Sequence, residues 1–196
     1  LVGSEMCIRD RYNPAYAYLF PELVEGYDYW GYGDLDLIYG DLRHFLTEEV
    51  LSYEKIFTLG HLTLIKNKEK FNQMFLKKVD GVDFYRKAFS STANFNFDEK
   101  FQDKVNINTI FEDNDCKIWK KSYAADIYTK SSDFLLDIGD GTKEERRDSL
   151  FVWNKGNLYR YYDNKSGKIE RQEFMYIHLQ KRKMINRINS DCDLYK

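Results

Sequence analysis

The chain has only 2 prolines, 3 cysteines and 3 histidines in 196 residues, and each scarcity excludes something. Cys7, Cys116 and Cys192 are odd in number, far apart and free of C-x-x-C spacing, which argues against a disulfide framework or a thiolate zinc site and suits a reducing compartment. No run approaches the roughly 18 apolar residues of a membrane span, so the expectation is a protein not integral to a membrane. No charge of one sign dominates: 30 Lys and Arg stand against 32 acids, a formal net charge of -2. Such a chain has no global field to draw nucleic acid, and any phosphate must meet a local site. A G-x-S-x-G elbow, an H-E-x-x-H helix, a phosphate-cradling glycine loop, internal repeats and a Pro/Gly linker are all missing, and the chain reads as one domain.

What is present is an apolar fraction of 43%, enough for a core, and an aromatic fraction of 17% that includes 16 Tyr and 14 Phe. Tyrosine joins an apolar face to a hydroxyl, which suits sugar rings and half-buried core positions alike. The sequence opens on Leu1, and residues 1–11 resemble a translated sequencing-adapter remnant. Residues 1–11 are therefore expected to be a non-native leader and 12–196 a single domain.

Along the chain, Pro14 and Pro21 suit first turns of short helices, with Tyr18, Leu19 and Leu23 as candidate buried positions and Gly26 as the stop. Residues 27–33 read as an aromatic strand, and Asp41 as the cap of a short helix carrying Leu42, Phe45 and Leu46. Residues 55–59 and 62–65 read as short strands broken at Gly60-His61. Phe71, Phe75 and Val79, widened by Met74, predict a helix, and residues 84–89 another. Phe97-Asp98-Glu99 is expected to begin a third. From Leu150 the pattern alternates: strands at 151–153, 158–162 and 174–177 with turns between them predict a β-meander.

Asp34 and Asp36 flank one residue directly after the aromatic strand. Carboxylates at i and i+2 of an extended segment point the same way, and at a strand's C-terminal end they lie where α/β sheets bind ligands. A shared hard cation, Mn²⁺ or Mg²⁺, relieves their repulsion and bridges phosphates. His178 closes another apolar strand, and its imidazole can complete a site begun by carboxylates; Lys181 and Arg182 beside it can neutralise a diphosphate. Asp98 and Glu99, as acids at a helix start, fit simple capping, or as a functional pair could take the proton of an acceptor hydroxyl. His61 follows a break between strands and could touch a sugar.

The segments 27–42, 60–64 and 176–182 together resemble bacterial glycosyltransferase-like proteins of capsule and lipopolysaccharide gene clusters. More distantly they are similar to A-type nucleotide-diphospho-sugar transferases with a D-x-D motif. That resemblance implies an α/β, Rossmann-like nucleotide-diphospho-sugar transferase fold with the β-meander added at its C-terminal end. It implies metal ligands at Asp34, Asp36 and His178, catalytic acids at Asp98 and Glu99, and substrate contacts at Trp30, His61, Lys181 and Arg182. It further implies a cytoplasmic enzyme moving a hexose from a nucleotide-diphosphate sugar to an oligosaccharide or lipid-linked surface-glycan acceptor, in peripheral contact with the inner membrane. In the family, several strand and helix units precede the D-x-D. Only a couple of dozen residues do so here, so the fold is expected to be incomplete at the N-terminus, to bind nucleotide sugar weakly and to leave a sheet edge open. Two other readings are a non-catalytic glycan-binding module built on the aromatics and a calcium domain; the latter lacks the further ligands and glycine of a calcium loop.

Overall fold

The computed structural model describes residues 9–93, 95–100, 104–130, 134–139, 142–145, 149–164 and 166–180. These form a mixed α/β fold that is mostly β, with several sheets and a few short helices. Among the described residues, ten strands make three sheets. The first holds β1 (Tyr29–Gly33), β4 (Leu62–Lys66), β3 (Lys55–Ile56) and β5 (Ile118–Trp119) in that order, with β3 and β5 parallel. The second holds β2 (Leu37–Tyr39), β10 (Tyr176–His178) and β6 (Ala124–Asp126); β10 runs antiparallel to β2 and parallel to β6. The third is the meander β7 (Ser149–Asn154), β8 (Asn157–Asp163) and β9 (Ile169–Phe174). Among the described residues β1 pairs only with β4 and is the edge of its sheet. No helix of the described residues is long and apolar enough to cross a membrane.

Three apolar clusters hold these layers. The first packs Trp30, Tyr32 and Ile65 against Phe71, Met74, Phe75, Phe97, Ile110 and Phe111. The second gathers Val50, Ile56, Phe57, Leu62, Met175 and Tyr176, and the third Ala125, Ile127, Leu158, Phe174 and Ile177. The first sheet is therefore covered on both faces, by the first and second clusters, and the second sheet by the second and third, with Tyr176 and the adjacent Ile177 of β10 falling in different clusters. The meander is fixed to the second sheet at close quarters: the Trp153 indole donates to the Tyr39 carbonyl at 3.0 Å. A Cβ on Gly40 would stand 2.8 Å from the Phe174 carbonyl, so only glycine fits there.

Several expectations change. Phe71, Met74, Phe75 and Val79 are buried, but not on one helix. The helix Glu69–Asn72 gives way to a 3₁₀ turn, Met74–Leu76, and Lys77 is extended at φ -69 and ψ 143. Val79 reaches the core through a bridge to Val82 across Asp80 and Gly81, both left-handed, and that reversal ends any helix. Residues 97–100 form no helix either, because the Asp98 side chain turns inward; the next helix is Ile107–Asp113, capped by Asn106. Tyr18, Leu19 and Leu23 are 49%, 50% and 71% exposed, since only Ala17 of the helix Tyr16–Leu19 is buried and the 3₁₀ turn Pro21–Leu23 buries none of its residues. Tyr176-Ile177 leaves the meander: at Met175 the chain crosses over, its N–H bonding to the Tyr123 carbonyl, and β10 joins the second sheet. The helix Leu42–Phe45 has the expected cap, with the Asp41 carboxylate accepting from the N–H groups of Arg43 and His44. The helix Phe84–Ser90 also forms where the pattern placed it.

Candidate metal centre

The seam between the first two sheets brings the site together. β1 and β2 are consecutive in the chain yet belong to different sheets, and Asp34-Leu35-Asp36 is the link. Each acid is tied to its own side. The Asp34 N–H donates to the His61 carbonyl at 3.1 Å, extending the β1–β4 ladder. The Asp36 carbonyl accepts from the Leu179 N–H at 3.1 Å, extending the β2–β10 ladder. Leu35, between them, is 93% exposed and does nothing to bury the link.

The two carboxylates meet the imidazole of His178 at the end of β10. His178 Nε2 lies 3.4 Å from Asp34 Oδ2 and 3.6 Å from Asp36 Oδ1, and one ligand atom from each of the three lies within 4.8 Å of the others. Both carboxylates keep partial access to solvent, 30% and 25%, so a ligand can reach them. Two oxygens and one imidazole nitrogen are a donor set suited to a divalent cation that tolerates mixed O and N ligation. The residues thus fit the cation the D-x-D motif implies.

Around His178 the ring is fixed on two more sides. Its Nδ1 is 2.9 Å from Asp126 Oδ1, and the Gln180 side-chain amide donates to the same oxygen at 2.5 Å. On its face the His61 ring stacks at 4.4 Å with planes 28° apart. His61 Nδ1 shares a hydrogen bond of 2.8 Å with the Tyr176 hydroxyl, and its buried Nε2 has no hydrogen-bond partner. His61, Asp126 and His178 form a second set of ligand atoms within 4.8 Å of one another.

The electrostatics separate the two rings. Burial and the neighbouring charge of His178 press His61 down to about 4, so it is neutral. Burial alone would also lower His178, but hydrogen bonds with Asp126 and Asp34 and the charges of Asp126 and Asp36 raise it to about 9. Asp126 is raised by burial but brought below its ordinary value by its hydrogen bonds with His178 and Gln180. The seam is built to receive positive charge.

Asp98 and Glu99 sit under the Gly60-His61 corner. The Gly60 N–H donates to Glu99 Oε2 at 3.0 Å, and a Cβ on Gly60 would stand 2.7 Å from Asp98 Oδ2. The Asp98 carboxyl is buried and accepts from the Asn13 side-chain amide at 3.1 Å, while the Tyr32 hydroxyl donates to its carbonyl at 3.1 Å. Burial, then the charge of Glu99, raises Asp98 to about 8. Glu99 is half-buried and its other oxygen accepts from the Asn96 amide at 3.2 Å.

The structure therefore gathers Asp34, Asp36, His61 and His178, with Asp98 and Glu99 beneath the loop that presents His61. Trp30 is not among the side chains that meet at His178. It is buried in the first core cluster with its indole N–H bonded to Asn72, a placement that follows from its inward position on β1. Lys181 and Arg182 lie outside the described residues. Asp126 escaped the sequence reading. Its signal was like that of Asp34, Asp36 and His178, a polar residue at the end of a short apolar segment, here Ala124-Ala125.

Residues 8–196 match the family described as "Family of unknown function (DUF6625)". Neither the curated proteins nor the solved structures give a match to the chain.

Proposed function

The chain belongs to the DUF6625 family of unknown function, and from the site it carries we propose that it is a glycosyltransferase that uses a divalent cation, Mn²⁺ or Mg²⁺. Its reaction would move a hexose from a nucleotide-diphosphate sugar to a surface glycan acceptor, of capsule or lipopolysaccharide type, on the cytoplasmic face of the membrane. The observation that carries this is the convergence of Asp34, Asp36 and His178, whose ligand atoms lie within 4.8 Å of one another at the seam of two sheets. The finer reading of the fold, a Rossmann-like A-type nucleotide-diphospho-sugar transferase, belongs to the same proposal. It is supported by a D-x-D at the end of a sheet strand and by the parallel pairs β3–β5 and β6–β10.

In this reading Asp34 and Asp36 hold the cation from the link, and His178 holds it from β10. When bound, the cation would neutralise the diphosphate and stabilise the charge of the leaving group. Asp98 keeps its proton near neutral pH because it is buried beside Glu99, so it is a hydrogen-bond donor and not a base. That leaves Glu99, half-buried and held through Gly60 and Asn96, to accept the proton of the acceptor hydroxyl.

The test is a chelator-sensitive thermal shift with Mn²⁺ or Mg²⁺, with and without nucleoside diphosphates, followed by transfer assays with labelled nucleotide hexoses. Stabilisation by the cation that Asp34→Ala and Asp36→Ala abolish, together with cation-dependent transfer, is expected. A protein indifferent to divalent cations, or transfer unchanged in both variants, overturns the reading. One observation favours a second reading, a non-catalytic glycan-binding module. Tyr16, Phe20, Leu23 and Tyr27 are exposed and line a cavity of about 390 Å³ with Trp30. Sugar binding indifferent to chelator and to Asp34→Ala would identify that case.

A further inference from the structure

We propose that Asp126 is the positioning residue of this centre: accepting a hydrogen bond from His178 Nδ1, it sets the imidazole so that Nε2 faces Asp34 and Asp36. The inference rests on the reading of His178 as a ligand given above.

The placement is set by the sheet. β6 and β10 are parallel and in register, with Asp126 opposite His178, and the Ile127 N–H donates to the His178 carbonyl at 3.1 Å. Backbone pairing therefore puts the carboxylate beside the ring before any side chain chooses a rotamer. The 2.9 Å separation of Nδ1 and Asp126 Oδ1 then assigns one nitrogen of the ring, and the other, Nε2, is left toward the link at 3.4 and 3.6 Å from the two acids. An imidazole can ligate through only one nitrogen at a time while the other donates, and a carboxylate on the donor side fixes both tautomer and orientation.

Asp126 is itself held. Gln180 donates to Oδ1 at 2.5 Å from a left-handed backbone, φ 52, a conformation that a side chain of this type rarely adopts. Strain of that kind persists where the surroundings require it, and here it delivers an amide to the positioning carboxylate. The His61 ring, stacked at 4.4 Å and fixed through Tyr176, closes the remaining side. The rival arrangement is an ion held by His61, Asp126 and His178, which would make Asp126 a ligand. It is disfavoured because Asp126 Oδ1 already meets both Nδ1 and the Gln180 amide, while Nε2 of His178 faces Asp34 and Asp36.

The experiment uses the full chain labelled with ¹⁵N-histidine, with Cd²⁺ as a diamagnetic probe and Mn²⁺ affinity measured by calorimetry. Wild type is expected to bind with His178 protonated at Nδ1 and shifted at Nε2. Asp126→Ala is expected to lose the Nδ1 signature and about 10- to 100-fold in affinity, the usual effect of removing such a partner. Asp126→Asn, which keeps an acceptor oxygen, should retain the tautomer and lose less. Wild-type affinity and an unchanged Nδ1 signature in Asp126→Ala would overturn the inference. So would cation binding that needs Asp126 and His61 but survives Asp34→Ala and Asp36→Ala. If wild type binds no divalent cation, the metal reading fails. The Nδ1–H resonance of the metal-free protein then still decides the hydrogen bond, which Asp126→Ala must abolish if the carboxylate orients the ring.

Discussion

The rings of His61 and His178 stack at 4.4 Å, yet one is pressed to about 4 and the other raised to about 9. The difference is a matter of partners. His178 faces three carboxylates at hydrogen-bonding or ion-pairing distance, whereas His61 is bonded to a neutral phenol. A neutral ring can lie flat on a charged one without repelling it. His61 is thus a wall for the centre, and the hydrogen bond to Tyr176 keeps that wall in place.

That bond can be isolated. His61→Phe preserves a flat ring but leaves the buried Tyr176 hydroxyl without its partner, which should cost about 1–3 kcal/mol. Tyr176→Phe leaves His61 Nδ1 unpaired in the same way. The double variant removes both polar groups and should cost less than the sum of the singles, with a coupling of about 1 kcal/mol. Urea denaturation of the four proteins measures it. Strict additivity would show that the 2.8 Å contact contributes nothing.

The link acids behave differently because they are partly open to water. Asp34→Ala and Asp36→Ala should each leave the metal-free melting temperature within a few degrees of wild type, since both side chains are partly exposed, at 30% and 25%, and their pairing with His178 is screened by water. Each should lower Mn²⁺ affinity by at least about tenfold, about 1.4 kcal/mol. Calorimetry on the variants gives the second number and a melting scan in chelator the first. A large loss of metal-free stability would mean that the pair serves the fold and not a ligand.

What the sequence disclosed and what it hid follow from the range of the interactions. Asp34, Asp36 and His178 were legible because each ends or begins an apolar strand, and strand ends are where sheets present polar groups. Asp126 obeys the same rule but sits after a lysine-rich stretch on a strand of three residues, and its role depends on a register with β10 set 52 residues later. The burial of Phe71, Phe75 and Val79 could be read from their spacing, whereas the helix could not, because the left-handed pair Asp80-Gly81 decides the local path. Asp98 looked like a helix cap; its inward turn is fixed by Asn13, which lies 85 positions away.

Gly60 joins that buried acid to the site. A methyl group there would stand 2.7 Å from Asp98 Oδ2 and 3.2 Å from Glu99 Oε2, so Gly60→Ala must displace one acid or move the His61 loop. Overpacking of this kind costs about 1–3 kcal/mol. In an Asp98→Ala background the nearest obstacle is gone, and the same substitution should cost clearly less. Equal costs in the two backgrounds, by urea denaturation, would place the strain elsewhere.

Asp98 and Lys55 should give stability a minimum near neutral pH, because each is a buried group whose charged form the fold disfavours. Asp98 is raised from 3.8 to about 8, so between those values the native state holds a proton that the unfolded chain has lost. Stability from this group is complete below about pH 4 and falls as pH rises toward 8. Lys55, fully buried with its ammonium donating to the Phe57 carbonyl at 2.6 Å, is lowered by burial from 10.5 to about 7. Between 7 and 10.5 the unfolded chain holds the extra proton, so stability from Lys55 rises across that interval and is lost as pH falls through 7. Urea midpoints at pH 5, 7.5 and 10 should trace a shallow trough. Asp98→Asn should remove its acid-side slope and Lys55→Met its alkaline-side slope, each leaving the other in place. If Asp98→Asn keeps the full decline between pH 5 and 7.5, another group carries that limb, and Asp98 is ionised in the folded protein.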